Sequence, residues 1–270
     1  MFSVKDALIK ATHELKEVCD IPNKEARILL AFYLQKDQLW LITYDNEKIV
    51  DKDYFELIKR RIQNEPIEYI TNRATFYSED FFVDSNVLIP RPETEILVDL
   101  VVSTCKGLKR PTIIEIGTGS GIISIMLAKL LPNAIIKAVD ISEGALDVAK
   151  LNAKKHGVEN KIDFILSDLL DNIADKNFDM LVSNPPYIAN DEPLHVGLSY
   201  EPSLALYGGK VGAELLKKIV DLAKARKVSY LACEMGYDQK AYITSILKSK
   251  NIQFYKDLAG LDRGFLIKFK

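Results

Sequence analysis

Residues 113–128 read IIEIGTGSGIISIMLA, an apolar run that passes through three alternating glycines into a second apolar segment. The first run has the length of a strand and the second has the length of a helix. Glycines between them permit backbone conformations, and a close approach to the chain, that a Cβ atom would block. Tight turns and nucleotide sites of several kinds share this pattern, so the turn alone does not identify a ligand.

The spacing of the glycines narrows the choice of ligand. The dinucleotide fingerprint is G-x-G-x-x-G, whereas Gly117, Gly119 and Gly121 alternate. The lysine and the Ser or Thr of a phosphate-binding loop do not follow at the required spacing either. Alternating glycines therefore favour a ligand that has no pyrophosphate group.

Short apolar runs and helical stretches alternate along the chain after Arg110. This alternation predicts the doubly wound α/β class, a mostly parallel sheet with helices on both faces. The segments 252–255 and 265–269 predict an antiparallel pair at one edge, which gives seven strands in all. The other predicted strands are 112–116, 134–139, 162–166, 178–182 and 229–233, and the predicted helices are 122–131, 143–156 and 213–224.

Three regions of the chain differ in residue pattern. Residues 1–73 show helical periodicity throughout, which predicts a small all-α domain. Residues 74–90 are rich in aromatic and β-branched residues around Ser78-Glu79-Asp80, which predicts a β-hairpin connector with its turn there. Residues 91–270 carry the α/β pattern, and they begin with a predicted helix that has Pro92 near its start and Glu93 and Glu95 in its first turn.

Composition limits the classes of partner. The 270 residues carry 36 Lys and Arg against 38 Asp and Glu, so no global positive field exists to hold nucleic acid. No apolar stretch approaches the ~18 residues that span a bilayer, and the N-terminus lacks a signal-peptide pattern. The three cysteines and three histidines are scattered, so we expect no disulfide framework and no metal site. We therefore expect a cytoplasmic protein that does not bind nucleic acid or membrane stably.

Two acids follow predicted strands downstream of the glycines. Asp140 ends the second strand, where a carboxylate can accept hydrogen bonds from ribose hydroxyls. Asp168 follows the third strand and is placed to accept a hydrogen bond from an exocyclic amine, with Leu169 beside it to flank a base. The alternative is that both acids cap the helices that follow.

A second motif, Asn184-Pro185-Pro186-Tyr187, ends the fourth strand. Both prolines stop the strand, because they fix their own φ and cannot donate to a ladder. The stiff corner predicts that Asn184 Oδ1 and the Pro185 carbonyl accept the N–H groups of a planar nitrogen, with Tyr187 against the flat substrate. The alternative is a strand terminator followed by a packing tyrosine.

The two motifs together resemble those of the S-adenosylmethionine-dependent methyltransferases with a doubly wound sheet. The N-P-P-Y signature is similar to that of enzymes that methylate a planar nitrogen, either an amide or the exocyclic amine of adenine or cytosine. The resemblance implies S-adenosyl-L-methionine as the cofactor, S-adenosyl-L-homocysteine as the product and no metal. The cofactor-binding residues that it implies are Glu115, Gly117, Thr118, Gly119, Ser120, Gly121, Asp140, Asp168, Leu169 and Asn184.

Two longer segments resemble one family in particular, the release-factor glutamine methyltransferases. They are VLIPRPETEILVD, residues 87–99, and SYEPSLALYGGKVG, residues 199–212. The resemblance implies methylation of the glutamine side-chain nitrogen, N5, in the Gly-Gly-Gln motif of class I peptide chain release factors, with residues 1–73 as a substrate-recognition domain. Asn184, Pro185 and Tyr187 are then catalytic, and Pro186, Arg91 and Glu93 join them in contacting the substrate, although a helix cap and a salt bridge explain Arg91 and Glu93 equally well.

Three other functions share these motifs. The same corner serves N6-adenine methyltransferases of DNA or RNA and glutamine methyltransferases of a ribosomal protein. A binding module that keeps the fold without turnover is the third alternative, and the intact 184–187 corner argues against it.

Overall fold

A computed structural model describes residues 1–249 and 251–269 of the chain. These residues form two compact units, one of Met1–Arg73 with His195–Tyr200 and one of Ala74–Leu194 with the described residues from Glu201 onward. The segment His195–Tyr200 thus differs from its predicted place in the 91–270 domain. Within the helical unit, Tyr200 Oη donates to the Gln63 carbonyl at 2.9 Å.

The helical unit is built around one apolar core that includes Ala11, Leu29, Leu30, Tyr54 and Ile58. The Ser3 hydroxyl caps its first helix by accepting from Asp6 N, and the Asp37 carboxylate caps the third by accepting from Trp40 N. A strand pair that the sequence did not predict, β1 (Phe2–Ser3) with β2 (Lys48–Ile49), closes the unit. The helices are α1 (Val4–Glu14), α2 (Pro22–Leu34), α3 (Gln38–Thr43), α4 (Lys52–Ile62) and α5 (Ile67–Thr71).

The predicted hairpin is present, but its turn lies one residue earlier than expected. The strands β3 (Ala74–Phe76) and β4 (Glu79–Phe81) are joined by Tyr77 and Ser78, whose φ angles are 53° and 58°. Phe76 and Phe81 are both fully buried. Burying both rings on one side of a two-residue turn fixes the register, and that constraint overrides the polar Ser78-Glu79-Asp80 signal.

Seven strands of the second unit form one sheet, in the order β12-β13-β11-β8-β5-β6-β7. Strand β13 is antiparallel to both of its neighbours, and the remaining pairs are parallel. The predicted mostly parallel sheet with an antiparallel edge is therefore confirmed. The sheet strands are β5 (Thr112–Ile116), β6 (Ile135–Asp140), β7 (Ile162–Leu166), β8 (Met180–Ser183), β11 (Tyr230–Glu234), β12 (Ile252–Lys256) and β13 (Asp262–Lys268), and a separate parallel pair consists of β9 (Ile188–Ala189) and β10 (Tyr207–Gly209).

Helices cover both faces of this sheet. One apolar core joins it to α6, α7 and α8, and a second core joins it to α10 and α11. The chain runs from β5 to β6 and β7 on one side and then returns to β8 on the other, so the strand order reverses between β5 and β8. The helices are α6 (Thr94–Cys105), α7 (Ile122–Leu130), α8 (Glu143–Lys155), α9 (Ser203–Leu206), α10 (Glu214–Ala225) and α11 (Lys240–Leu247). Within residues 1–249 and 251–269, no helix has the length and apolar character needed to cross a membrane.

Candidate active site

A cavity of about 280 Å³ lies at the carboxyl ends of β5, β6, β7 and β8. Open α/β sheets bind ligands at such an edge, where the strand order reverses. The walls include Glu115, Asp140, Asp168 and Asn184, which lie at or next to the carboxyl ends of four different strands. The structure therefore brings the glycine motif and the Asn-Pro-Pro-Tyr motif to one place.

The three glycines of the loop have different roles. All three have positive φ angles, of 73° at Gly117, 54° at Gly119 and 84° at Gly121. A Cβ added at Gly117 or Gly119 would meet no atom within 4 Å, and both residues line the cavity. A Cβ at Gly121 would lie 3.0 Å from Ile125 Cδ1, so this glycine permits close packing inside the unit rather than forming part of the cavity wall.

The Glu115 carboxyl group hydrogen-bonds both the glycine loop and the start of α7. Its Oε2 accepts from Thr118 Oγ1 at 2.9 Å, from Ser124 N at 3.2 Å and from the Ser124 hydroxyl. Its Oε1 is buried and has no hydrogen-bond partner among the described residues. Burial raises the pKa of this carboxyl to about 8, against the opposing effect of the Ser124 and Thr118 hydrogen bonds. Thr118 and Ser120 are themselves buried, and both line the cavity.

Asn152, which the sequence analysis missed, ties the loop to the hairpin. Its Nδ2 donates to the Ser120 carbonyl at 2.9 Å and to the Phe82 carbonyl at 2.9 Å, while its Oδ1 accepts from Phe82 N at 2.7 Å. The side chain is fully buried. Because the buried amide makes all of these hydrogen bonds, it fixes the positions of Ser120 and Phe82 relative to each other.

The Asp140 side chain links the end of β6 to the glycine loop. Its Oδ2 accepts from Gly119 N and its Oδ1 from Ser142 N, each at 2.9 Å. Burial raises the pKa of the carboxyl, and these backbone hydrogen bonds oppose the shift. The cap of α8 is the Ser142 hydroxyl, which accepts from Ala145 N, so the capping alternative for Asp140 does not describe this helix.

Asp168 and Leu169 follow β7 and line the same cavity. Leu169 has a φ of 48°, in the left-handed region that a branched aliphatic side chain rarely adopts. Such strained residues cluster at ligand sites. The strained backbone places Leu169 on the cavity wall beside Asp168.

The Asn184 side chain is anchored to the start of α6. Its Nδ2 donates to Thr94 Oγ1 at 3.2 Å, and both residues line the cavity. Ser183 just before it is fixed as well, because its hydroxyl donates to the Ile116 carbonyl at 2.7 Å. Pro186 lines the cavity, whereas Pro185 is buried.

The backbone of the corner is held by a second missed residue, Gln239. Its Nε2 donates to the carbonyls of Tyr187 and Gly212, each at 3.1 Å, and its Oε1 accepts from Gly236 N at 3.0 Å. Gly208 packs against the same place, since an added Cβ there would lie 2.4 Å from both the Pro186 and Gly212 carbonyl oxygens. The corner is therefore held by the hydrogen bonds of Gln239 and by close packing against Gly208.

Tyr187 is not among the described residues that line the cavity. Its ring is half-buried, and burial is the largest cause of its raised pKa, followed by the nearby Glu234 carboxyl. The positive charges of Arg263 and Arg91 oppose that shift of the Tyr187 pKa. The predicted contact of this ring with a flat substrate stays a prediction.

Arg91 lies on the cavity wall and is ion-paired. Its Nη2 lies 2.5 Å from Oε1 of Glu201, whose Oε2 accepts from Ile89 N at 3.0 Å. Glu201 is buried and was missed from the sequence. Glu93 immediately precedes α6 rather than lying in its first turn, and it is absent from the described walls of the cavity. The salt bridge that the sequence analysis gave as an alternative role for Arg91 is therefore present in the structure.

Comparison with known proteins identifies the family. The PrmC N-terminal domain model matches residues 6–71 and the methyltransferase small domain model matches residues 92–197. The release factor glutamine methyltransferase of Clostridium acetobutylicum is 36% identical over 96% of this chain and 96% of its own length. The chain belongs to the release factor glutamine methyltransferase family. This membership confirms the resemblance found in the sequence and makes the protein a methyltransferase.

Two further comparisons concern a longer protein and a solved structure. A bifunctional methyltransferase of Rickettsia felis is 36% identical over 98% of the chain, which spans 58% of that longer protein. The human Mettl16 catalytic domain, solved in complex with a MAT2A 3′UTR hairpin, covers 70% of this chain and 75% of its own with a TM-score of 0.58 and 18% identity. The second likeness shows the fold alone.

Signals for some missed residues were present in the sequence of this release factor glutamine methyltransferase family member. Thr94 and Glu201 lie inside the two segments that carried the resemblance, 87–99 and 199–212. Gln239 and Asn152 had no comparable signal, because the Tyr187 carbonyl that Gln239 supports and the Phe82 backbone that Asn152 holds are 52 and 70 residues away along the chain. Across the described ranges, no group of three or more His, Cys, Asp or Glu side chains is arranged to hold a metal ion.

Proposed function

We propose that this methyltransferase transfers a methyl group from S-adenosyl-L-methionine to the side-chain amide nitrogen of the glutamine in the Gly-Gly-Gln motif of class I peptide chain release factors. One observation carries the proposal: the Asn184 carboxamide lies on the cavity wall with its Nδ2 bonded to Thr94. The Oδ1 atom is then left to accept from a substrate. Family membership and the names of the relatives support the choice of substrate.

The residues of the cavity fit the proposed cofactor. Open space over Gly117 and Gly119 leaves room for a ligand against the backbone, and Glu115 Oε1 is a buried acceptor without a partner among the described residues. We assign Glu115 to the cationic amine of the methionine part, Asp140 to the ribose hydroxyls, and Asp168 with Leu169 to the base. When bound, the cofactor supplies an electrophilic methyl group on a sulfonium and leaves as S-adenosyl-L-homocysteine.

The corner acts on the nitrogen that receives the methyl group. An amide nitrogen is a poor nucleophile because its lone pair is delocalised into the carbonyl group. Asn184 Oδ1 and the Pro185 carbonyl accept its two N–H groups, which aims the nitrogen and stabilises the positive charge that develops on it. No base is needed before attack, since the methylated nitrogen becomes acidic and loses its proton afterwards.

A methyl-transfer assay with labelled cofactor tests the proposal directly. Purified class I release factor, a ribosomal protein fraction, DNA and ribosomal RNA are offered separately to the full-length protein. We expect label on the release factor, at the glutamine of the Gly-Gly-Gln motif by mass spectrometry. Label on nucleic acid alone would assign the protein to the adenine methyltransferases, and label on ribosomal protein alone to the other glutamine methyltransferases.

Replacing Asn184 separates catalysis from cofactor binding. Asn184→Ala removes an acceptor that acts on the developing charge, and loss of one such group costs about 10²–10³ in kcat. We expect that loss in the transfer assay, while calorimetry shows an almost unchanged affinity for S-adenosyl-L-homocysteine. Asn160→Ala, at an exposed asparagine, is the matched control and is expected to change neither quantity. Equal loss of turnover and cofactor affinity in Asn184→Ala would make Asn184 a cofactor or folding residue instead.

A further inference from the structure

Arg226, immediately after α10, is hydrogen-bonded to the loop of residues 167–179 that joins β7 to β8. Its Nη2 donates to the Leu170 carbonyl at 2.8 Å, and its Nη1 donates to the Ile173 carbonyl at 2.5 Å and to the Asp175 carbonyl at 3.2 Å. Arg226 is absent from the described walls of the cavity. One side chain outside the cavity wall therefore holds three backbone carbonyl groups of this loop.

The backbone of Arg226 and the neighbouring apolar core hold the same loop. The Arg226 carbonyl accepts from Asn177 N at 3.0 Å. Leu170 and Ile173 are buried in the core that also contains residues of α10. The loop is thus attached to the end of α10 by its carbonyl groups, by an amide and by its apolar side chains.

Leu169 precedes this attached segment and has a backbone conformation that is unfavourable by itself. Its φ angle of 48° lies in the left-handed region, which a branched aliphatic side chain rarely adopts. A strained residue of this kind persists only when its surroundings hold it there. The carbonyl of the next residue, Leu170, is fixed by Arg226 Nη2. Arg226 therefore opposes the relaxation of Leu169 to a negative φ angle.

The chain before Asp168 is fixed by other contacts. Ser167 N donates to the Asp140 carbonyl at 2.9 Å, and the buried Ser167 hydroxyl accepts from Asn172 N at 3.1 Å. Asp168 thus lies between a residue fixed to the neighbouring strand and a segment fixed by Arg226. Release of the second attachment would let the Asp168 carboxylate move relative to the cavity.

We infer that Arg226 is a positioning residue, which holds Asp168 and Leu169 in the geometry that recognises the base of the cofactor. The inference rests on the proposed function for the assignment of these two residues to the base. An exocyclic amine is recognised only by an acceptor at hydrogen-bond distance and in the right direction. Because Arg226 does not line the cavity, its effect reaches the ligand through the backbone of the loop.

The chemistry of arginine suits this role better than that of lysine. A guanidinium group presents five N–H donors in a rigid planar fork, so a single side chain can hold several carbonyl groups in fixed directions. The ammonium group of lysine has three rotatable donors on one atom at the end of a flexible stem. Arg226→Lys therefore keeps the charge but holds the loop less firmly, and Arg226→Met removes every donor while retaining an apolar stem.

Two ligands that differ only in the base test the inference. Calorimetry on the full-length protein measures the affinity for S-adenosyl-L-homocysteine and for its inosine analogue, in which a carbonyl oxygen replaces the exocyclic amine. Wild type is expected to prefer the adenosine ligand by about tenfold or more, because the analogue loses a hydrogen bond to a charged group. Asp168→Ala, which removes the proposed acceptor, is expected to lose this preference.

Arg226→Met is expected to bind S-adenosyl-L-homocysteine about tenfold more weakly, as for other residues that orient a binding group. The affinity for the inosine analogue should change less, so most of the preference disappears. Arg226→Lys should fall between wild type and Arg226→Met, and it carries the test alone if Arg226→Met does not fold. Arg110→Met, at an exposed arginine of the same unit, is the matched control and should equal wild type with both ligands.

Three results would overturn the inference. Wild-type affinities in the folded Arg226 variants would mean that the loop keeps its geometry without the guanidinium. An equal loss for both ligands, with the preference retained, would show that Arg226 supports the whole cavity and not the recognition of the base. A wild type that binds both ligands equally would remove the base recognition itself.

The test also separates this inference from the proposed function. Loss of the preference in the Arg226 variants but not in Asp168→Ala would show that the loop recognises the base through another group, while the positioning role of Arg226 stands. These binding measurements do not involve a release factor. A failure to methylate the release factor would therefore reject the proposed substrate and leave the role of Arg226 intact.

Discussion

Glu115 carries a buried carboxyl group. Its side chain is fully buried, and the raised pKa of about 8 follows mainly from that burial. The folded state therefore binds the Glu115 proton more tightly than the unfolded state, in which the pKa has its usual value of 4.5. The contribution to stability is fully present below pH 4.5 and is lost as the pH rises through about 8.

Replacing Glu115 with glutamine should flatten the dependence of stability on pH. Glutamine carries no charge at any pH and retains an oxygen that accepts from Ser124. Between pH 4.5 and 9 the wild type is expected to lose about 3–5 kcal/mol more free energy of unfolding than Glu115→Gln does. Urea denaturation across that range measures the difference.

The exposed Glu159 provides the control for this measurement. Glu159→Gln should follow the wild-type curve of unfolding free energy against pH. The buried Glu234 carboxyl, whose pKa is also raised, gives all three proteins a further slope of the same sign. Parallel curves for wild type and Glu115→Gln would show that the carboxyl is hydrated or charged in the folded protein.

Sequence reasoning found residues whose chemistry is local and missed those that act across the fold. Asp140 and Asn184 could be predicted because each ends a strand within a recognisable motif. Thr94 could not be assigned a role, since the Asn184 amide that it accepts from lies 90 residues away along the chain. Glu201 was missed for the same reason, because its partner Arg91 is 110 residues distant. Such pairs depend on three-dimensional packing that no local pattern encodes.

The small parallel pair of β9 and β10 supports the Asn-Pro-Pro-Tyr corner. Tyr187 is followed directly by β9, and β10 brings Gly208 against the Pro186 carbonyl. Gly208 is required there by space, because backbone oxygens occupy the position that a side chain would take. The pair of strands thus packs directly against the corner.

Gly208→Ala should displace the corner. The added methyl group would lie 2.4 Å from the Pro186 and Gly212 oxygens, so the backbone has to move. Overpacking of this kind costs about 1–3 kcal/mol of stability. We expect turnover to fall at least about tenfold, since catalytic acceptors tolerate little misplacement, with a smaller change in cofactor affinity.

Gly107→Ala is the matched control, because a Cβ at this exposed turn meets no atom within 4 Å. It should leave turnover and stability close to wild type. Full activity in Gly208→Ala would mean that the corner adapts without cost and that β10 does not determine its position.

The long elements of the sheet were predicted well and the short ones were not. Strands β5 and β7 have the predicted bounds, and α7 and α8 each end one residue before the prediction. Their apolar runs are long enough to show a period. The two-residue β9, the three-residue β10 and the four-residue α9 are too short to show one. The chain beside β9 and β10 is held by Gln239, which donates to the Tyr187 and Gly212 carbonyls. Helix α11 was also missed, since its described buried face consists of only Ile243 and Leu247.

The two compact units have separate apolar cores. The core of the helical unit is made of residues up to Ile70, and the two cores of the other unit begin at Phe76. All the described residues that line the cavity belong to the second unit. Cofactor binding and chemistry are thus assigned to one unit, which leaves the helical unit available for the proposed recognition of the release factor.

The helical unit presents apolar side chains that its own core does not bury. Leu39 and Ile42 on α3 are 69% and 60% exposed. Leu39 and Ile42 lie three positions apart, so they are neighbours on one face of the helix. Contiguous exposed apolar surface is a mark of protein interaction sites. We propose that this face of α3 is where the unit contacts the release factor.

Substituting both side chains tests that proposal. The double variant Leu39→Ser with Ile42→Ser should raise KM for intact release factor, by about tenfold if the pair contributes about 1.4 kcal/mol to docking. It should leave turnover of a short Gly-Gly-Gln peptide and affinity for S-adenosyl-L-homocysteine unchanged, because the cavity lies in the other unit. Leu258→Ser, at a fully exposed leucine of the cofactor unit, controls for the loss of surface apolar area. An unchanged KM for the intact factor would exclude α3 as the docking face, and an equal loss with the peptide would trace the effect to the cavity instead.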